Sequence, residues 1–109
     1  MRIVLSPEFI SRLNELEMYV ANKLSSPKAA SDLVNEILDG CSLLERFPFL
    51  GREVSSQKGQ ESEFRLILVR HFMVIYCVTD EVVRVSTLID GRSDEIKQIL
   101  RNTDVEGRI

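Results

Sequence analysis

Between Glu63 and Val78 the chain reads EFRLILVRHFMVIYCV, two strand-like runs in which the usual alternation of apolar and polar residues is nearly missing. Successive side chains of a strand point to opposite faces, so a run that is apolar at every position is apolar on both. One face can cover a hydrophobic core, and the other needs a separate covering. Residues 66–69 and 72–78 carry no charge at all. No register of such a hairpin therefore presents a polar side to water.

A chain of 109 residues, 44% of them hydrophobic, suits one domain over residues 1–109 with a single core. Its longest stretch without a charged or strongly polar residue is Phe72 to Val78, far short of the roughly 18 to 20 apolar residues that span a membrane. The first residues, MRIVLSPEF, meet Pro7 and Glu8 before any apolar region develops, so no signal peptide is expected and a cytoplasmic location is. Cys41 and Cys77 lie in apolar settings without CxxC spacing or a histidine cluster; buried free thiols are expected, with no metal and no cofactor. The net charge of −3 counts against a surface built wholly for nucleic acid. Residues 46–79 are the net-positive third, with Arg46, Arg52, Lys58, Arg65 and Arg70 against Glu53, Glu61 and Glu63.

RIVL (Arg2 to Leu5) reads as a first strand. Ser6 followed by Pro7 is a helix start, because the serine caps free amides and proline fits the first helical position. Phe9, Leu13, Leu16, Val20 and Leu24 then form one helical stripe. Ser26 and Pro27 repeat the signal, and Ala30, Leu33 or Val34, Ile37, Cys41 and Leu44 make the second stripe. Two such helices joined by a few residues must lie antiparallel. Gly40 inside the second reads as a close-packing point. Pro48 and Gly51 end the helical part, and SSQKGQES (Ser55 to Ser62) reads as a polar loop. The period then changes to that of strands: FRLILV, FMVIYCV and VVRVSTLI, divided at Arg70-His71 and Asp80-Glu81, predict an antiparallel meander. A short helix from Ser93 to Leu100, with Ile96, Ile99 and Leu100 as its stripe, closes the domain. The expected class is α+β, with an N-terminal strand, an αα-hairpin, a three-stranded antiparallel meander and a C-terminal helix, the helices packed on one face of the sheet.

If the first hairpin turns through Val69, Arg70 and His71, then Phe64, Leu66 and Leu68 join Phe72, Val74, Tyr76 and Val78 under the helices. The opposite face then carries Arg65, Ile67, Met73, Ile75 and Cys77, with Arg84 and Ser86 if the second turn is Asp80-Glu81. Another turn length would swap one strand relative to the next. An apolar second face is either a partner site or is covered by the last helix or the tail.

No serine or cysteine stands in a nucleophile elbow or triad setting, and no metal spacing or phosphate-binding glycine loop occurs. Asp90, Asp94 and Glu95 fit the acidic start of a terminal helix. His71 beside Arg70 fits a solvated turn, or a general base next to a phosphate-binding cation. Arg65, Arg84 and Arg92 are ordinary surface cations singly, and a phosphate or carboxylate site if they converge. Tyr76 falls in the core-facing set.

Three phrases in order, KAASDLVNEILDGCSLLERFPFLGREV, FRLILVRHFMVIYCV and DGRSDE, give the chain a resemblance to the RelE/ParE superfamily of toxins from bacterial type II toxin-antitoxin pairs. The resemblance covers most of the chain. It implies a compact growth-inhibiting toxin of the kind that stabilises plasmids, held inactive by a cognate antitoxin, alone as a homodimer or in a toxin-antitoxin hetero-oligomer. An antitoxin would account for the apolar second face.

The superfamily has two branches, one cleaving messenger RNA on the ribosome without a metal and one poisoning DNA gyrase. By position, Arg65 and Arg92 match basic residues of the nuclease branch, which makes Arg65, Arg92 and His71 its catalytic candidates here. Met73 and Ile67 stand where that branch carries cations, and the segment Ser93 to Leu100 lacks its tyrosine. A metal-free ribonuclease needs a base, an acid and phosphate-neutralising cations. The resemblance with these departures favours the gyrase branch, a binding protein and not an enzyme, with Arg65, Ile67, Arg70, Met73, Ile75, Arg84 and Arg92 facing the target or antitoxin. The ribonuclease is the alternative, and a non-toxic oligomerising member the second.

Overall fold

A computed structural model describes residues 1–54 and 63–92. The loop Ser55 to Ser62 and the helix expected from Ser93 lie outside the described residues. Strand β1 (Arg2–Leu5) leads into helix α1 (Pro7–Lys23) and helix α2 (Pro27–Leu43), followed by strands β2 (Arg52–Glu53), β3 (Phe64–Val69), β4 (Phe72–Thr79) and β5 (Val82–Asp90). Both helices start as their Ser-Pro signals require. Ser6 Oγ accepts from the Phe9 amide at 3.0 Å, and Ser26 Oγ accepts from the Ala29 amide at 3.1 Å. Ser25, at φ 51°, is the left-handed residue that reverses the chain between them.

The five strands form one mixed sheet in the order β1-β5-β4-β3-β2. The three-stranded meander is present, enlarged at both edges: β1 adds in parallel to β5, and β2, which local pattern did not announce, adds antiparallel to β3. Phe9, Leu13, Leu33, Ile37, Cys41 and Leu44 of the helical layer pack on Val69, Phe72, Val74, Tyr76, Val83, Val85 and Leu88 of the sheet. Leu24 departs from its expected stripe; it caps α1 and is exposed.

The face expected for β3 is reversed. Val69 pairs with Phe72, so the hairpin turns in two residues, Arg70 and His71, and not in three. Arg70 takes φ 56°, the kind of positive φ that lets a tight hairpin turn match strand twist. The shorter turn buries Val69 at 8% exposure and leaves Leu68 at 64%. Ile67 and Arg65 consequently lie on the helix side with Tyr76, while Leu66 and Leu68 share the far side with Met73 and Ile75. A register shift between Ile75 and Tyr76 places Thr87 opposite Ile75 and Val85 opposite Tyr76, with Ser86 as the extra residue. This bulge keeps Val83, Val85 and Leu88 all on the helix side.

Gly40 is the close-packing point its position suggested: a Cβ there would lie 2.9 Å from Val69 Cγ2 and 3.6 Å from Ile67 Cδ1. Alanine normally gains about 1 kcal/mol over glycine inside a helix. Here Gly40→Ala is expected to lose roughly 1 kcal/mol net in denaturant unfolding, because the methyl pushes α2 off β3. Combining it with Val69→Ala should cost less than the two changes added, by about 0.5 kcal/mol or more.

Burial pushes the Cys41 thiol from 9.0 to about 11. The unfolded chain then ionises this thiol before the native state does, so it binds fewer protons above pH 9 and stability falls with rising pH. The contribution is complete below pH 9 and declines by roughly 2 to 3 kcal/mol as pH approaches 11. Unfolding curves at about pH 8 and about pH 10.5 should show that loss, and Cys41→Ala should reduce it.

Candidate partner-binding face

Away from the helices, Leu66, Met73, Ile75 and Ile89 form a second apolar cluster with Val54 packed against it. Met73 and Ile75 are 7% and 9% exposed, so the open apolar surface is narrower than the sequence led one to expect. It centres on Leu68, with Phe64 at the other end of the same strand. A groove of about 350 Å³ runs over Leu66, Leu68 and Met73, and Arg52, Arg70, His71 and Arg92 stand at its rim.

The rim is built by the hairpin turn and by the exit from β5. The Gly91 amide donates to the His71 carbonyl at 2.8 Å. A Cβ on Gly91 would sit 2.5 Å from that oxygen, so glycine permits the approach. The Arg92 amide donates to Asp90 Oδ1 at 2.9 Å, and Arg92 Nη2 lies 3.0 Å from His71 Nε2. A guanidinium can only donate, so Nε2 is the acceptor and its lone pair is occupied. Asp90 Oδ1 is 3.6 Å from the same nitrogen. His71 is thus placed against a cation and a carboxylate, and its ring lies 4.1 Å from that of Phe72. Arg70 turns the other way, to Glu36 of α2, with Nη2 at 2.8 Å and Nε at 3.0 Å.

Arg65, Arg84 and Arg92 do not converge. Arg65 donates to the Gly51 carbonyl at 2.7 Å, lies 3.5 Å from Glu53, and stacks 4.9 Å from the centre of the Phe49 ring, all at the helix-side margin. Arg84 is opposite Cys77 on the far side and donates to Thr79 Oγ1 at 3.0 Å. From Cys77, opposite Arg84, to His71 is six residue steps, about 20 Å of strand. Arg92 alone of the three stands at the groove. Ile67 packs against the helix-side core.

Arg65 belongs to a tie that holds the α2–β2 connection to the sheet. The Gly51 amide donates to the buried Tyr76 hydroxyl at 2.8 Å, while the Gly51 carbonyl receives Arg65. A Cβ at Gly51 would meet the Leu66 carbonyl oxygen at 2.5 Å and the Tyr76 hydroxyl at 2.8 Å. Tyr76 is core, as its place in the pattern indicated, and burial raises its hydroxyl pKa against the lowering effects of the Gly51 bond and Arg65. Burial, followed by the charge of Glu63, likewise raises the Cys77 thiol, and Arg84 opposes it.

Sequence reasoning missed Arg52, Leu66, Leu68 and Gly91 at the groove. Reading Arg70-His71 strictly as a two-residue turn would have put Leu66 and Leu68 beside Met73. Among the described residues no cluster of histidine, cysteine, aspartate or glutamate could hold a metal ion, and no helix is long and apolar enough to cross a membrane.

Residues 3–95 match the family model described as ParE toxin of type II toxin-antitoxin system, parDE. The fold is similar to that of a solved chain described as the chromosomal ParDE TA system from P. aeruginosa, with a TM-score of 0.69 over 83% of this chain and 95% of that one. Sequence identity to it is 14%, so the likeness is one of fold. Comparison with curated proteins returned no match.

The two arginines should separate cleanly in unfolding experiments. Arg65→Ala, which strips the Gly51 carbonyl of a charged donor, is expected to cost roughly 1.5 to 3 kcal/mol. Arg92→Ala, at an exposed position, should stay within about 0.5 kcal/mol of the parent.

Proposed function

The chain belongs to the ParE toxin family of type II toxin-antitoxin systems, and from that premise we propose that it inhibits growth by binding DNA gyrase in the cytoplasm, and that its cognate antitoxin neutralises it by covering the far face of the sheet. The supporting observation is the composition of that face. Among the described residues its floor is Leu66, Leu68, Met73, Ile75 and Ile89, without an acid, a base or a cation at its centre. Metal-free RNA cleavage requires such groups beside the scissile phosphate. A partner segment requires what is present: an exposed apolar side chain, Leu68, over an apolar floor, with cations at the rim to set its orientation.

One contact favours the second reading. His71, Arg92 and Asp90 lie together at the rim, and in a ribosome-dependent nuclease Arg92 would turn to the phosphate and so free His71 Nε2 to serve as base. Arg65 would not join them, since its guanidinium is engaged across the sheet at Gly51.

Gyrase supercoiling with the purified chain, run beside primer extension on transcripts from induced cells, separates the two. The binding reading expects inhibited supercoiling and no codon-positioned cuts, and codon-positioned cuts that vanish in His71→Ala would overturn it. Leu68→Glu alters an exposed position and should leave folding intact while weakening gyrase or antitoxin binding by roughly ten-fold or more.

A further inference from the structure

β5 is longer than the strand beside it. β1 ends at Leu5, opposite Val85, while β5 continues to Asp90. Beyond Val85 its outer edge has no strand partner among the described residues. Side chains from the start of α1 occupy that edge instead. Ser6 Oγ donates to the Ser86 carbonyl at 2.6 Å, Arg12 Nη1 to the Leu88 carbonyl at 3.1 Å, and Thr87 Oγ1 to Glu8 at 2.7 Å. In an antiparallel ladder the N–H and C=O of one residue point to the same edge, so Leu88 turns its amide outward as well. Open strand edges are templates for further pairing.

Along this edge, between α1 and the sheet, lies a groove of about 370 Å³. Leu16, Phe72 and Leu88 supply apolar lining, and Tyr19, 62% exposed, stands over it. The charges that line the groove are unequal. Arg12 is engaged with Glu8 and the Leu88 carbonyl, and Asp90 with Arg92 and His71. Glu15 has no ion-pair partner among the described residues.

We propose that this edge receives an extended segment of a partner protein, added to the sheet as a strand beside Ser86–Asp90. Its chemistry follows from the lining: an apolar side chain directed into the Leu16, Phe72 and Leu88 groove, and a lysine or arginine two positions away, on the same side of the strand, against Glu15. Main-chain bonds to Leu88 supply affinity, and the two side chains supply selection. The incoming strand replaces Arg12 at the Leu88 carbonyl and leaves Arg12 its pairing with Glu8. The site lies on the β5 edge and does not depend on which target the toxin poisons.

The test uses the full chain and a short labelled threonine peptide carrying valine and lysine two positions apart. Fluorescence anisotropy is expected to show saturable binding, and amide exchange at Leu88 is expected to slow on addition. The same peptide with glutamate for lysine, or with prolines for the threonines, should bind at least roughly ten-fold more weakly. Glu15→Gln should erode the preference for lysine over glutamate. Equal binding of the proline peptide, or unchanged exchange at Leu88, would overturn the proposal. So would self-association that protects Leu88 without peptide, which would assign the edge to a second copy.

Discussion

The reversal of the chain in two residues at Arg70 and His71 governs the rest of the structure. Because side chains alternate along a strand, adding or removing one turn residue exchanges the two faces of β3. With Val69 opposite Phe72, β3 contributes Ile67 and Val69 to the helix side, where Val69 meets the bare backbone of Gly40. The same register sends Leu66 and Leu68 to the far side and places Arg52 of β2 opposite Leu66, at the groove. It also carries Arg65 to the helix side beside Tyr76, where the Gly51 carbonyl is within reach.

From this follows the distribution of charge. Cations that look equivalent in the sequence have different duties once their strands are registered. Arg65 holds the connection after α2, Arg70 pairs with α2 itself, and Arg84 sits at the opposite end of the far face. Among the described residues the centre of that face is left apolar. An apolar floor suits burial against another chain far better than it suits charge development at a phosphate, which is why family membership and side-chain placement support the same reading.

Features carried by local chemistry were legible in the sequence. The two Ser-Pro helix starts, both helical stripes up to Leu24, the packing role of Gly40, the buried Cys41 and the core position of Tyr76 each follow from a pattern spanning a few residues. Features that depend on pairing across long separations were not. Nothing local in Arg52-Glu53 announces a strand, since its partner lies beyond Ser62, and nothing near Arg65 marks the Gly51 carbonyl as its acceptor. The error on β3 came from one residue of turn length. Its strand is apolar at almost every position, so either face assignment satisfied the pattern, and only the pairing of Val69 with Phe72 across Arg70-His71 decides between them.

That decision is open to a direct measurement. In a background with Cys41 and Cys77 replaced by alanine, single cysteines at Ile67 and Leu68 can be compared for their rates of alkylation in the native state. A two-residue turn requires the thiol in Leu68→Cys to react at close to the rate of an unfolded peptide, and that in Ile67→Cys, half-buried against the helix-side core, to be slower by roughly ten-fold. The reverse order, fast at position 67 and slow at 68, would contradict the register and with it the assignment of both faces.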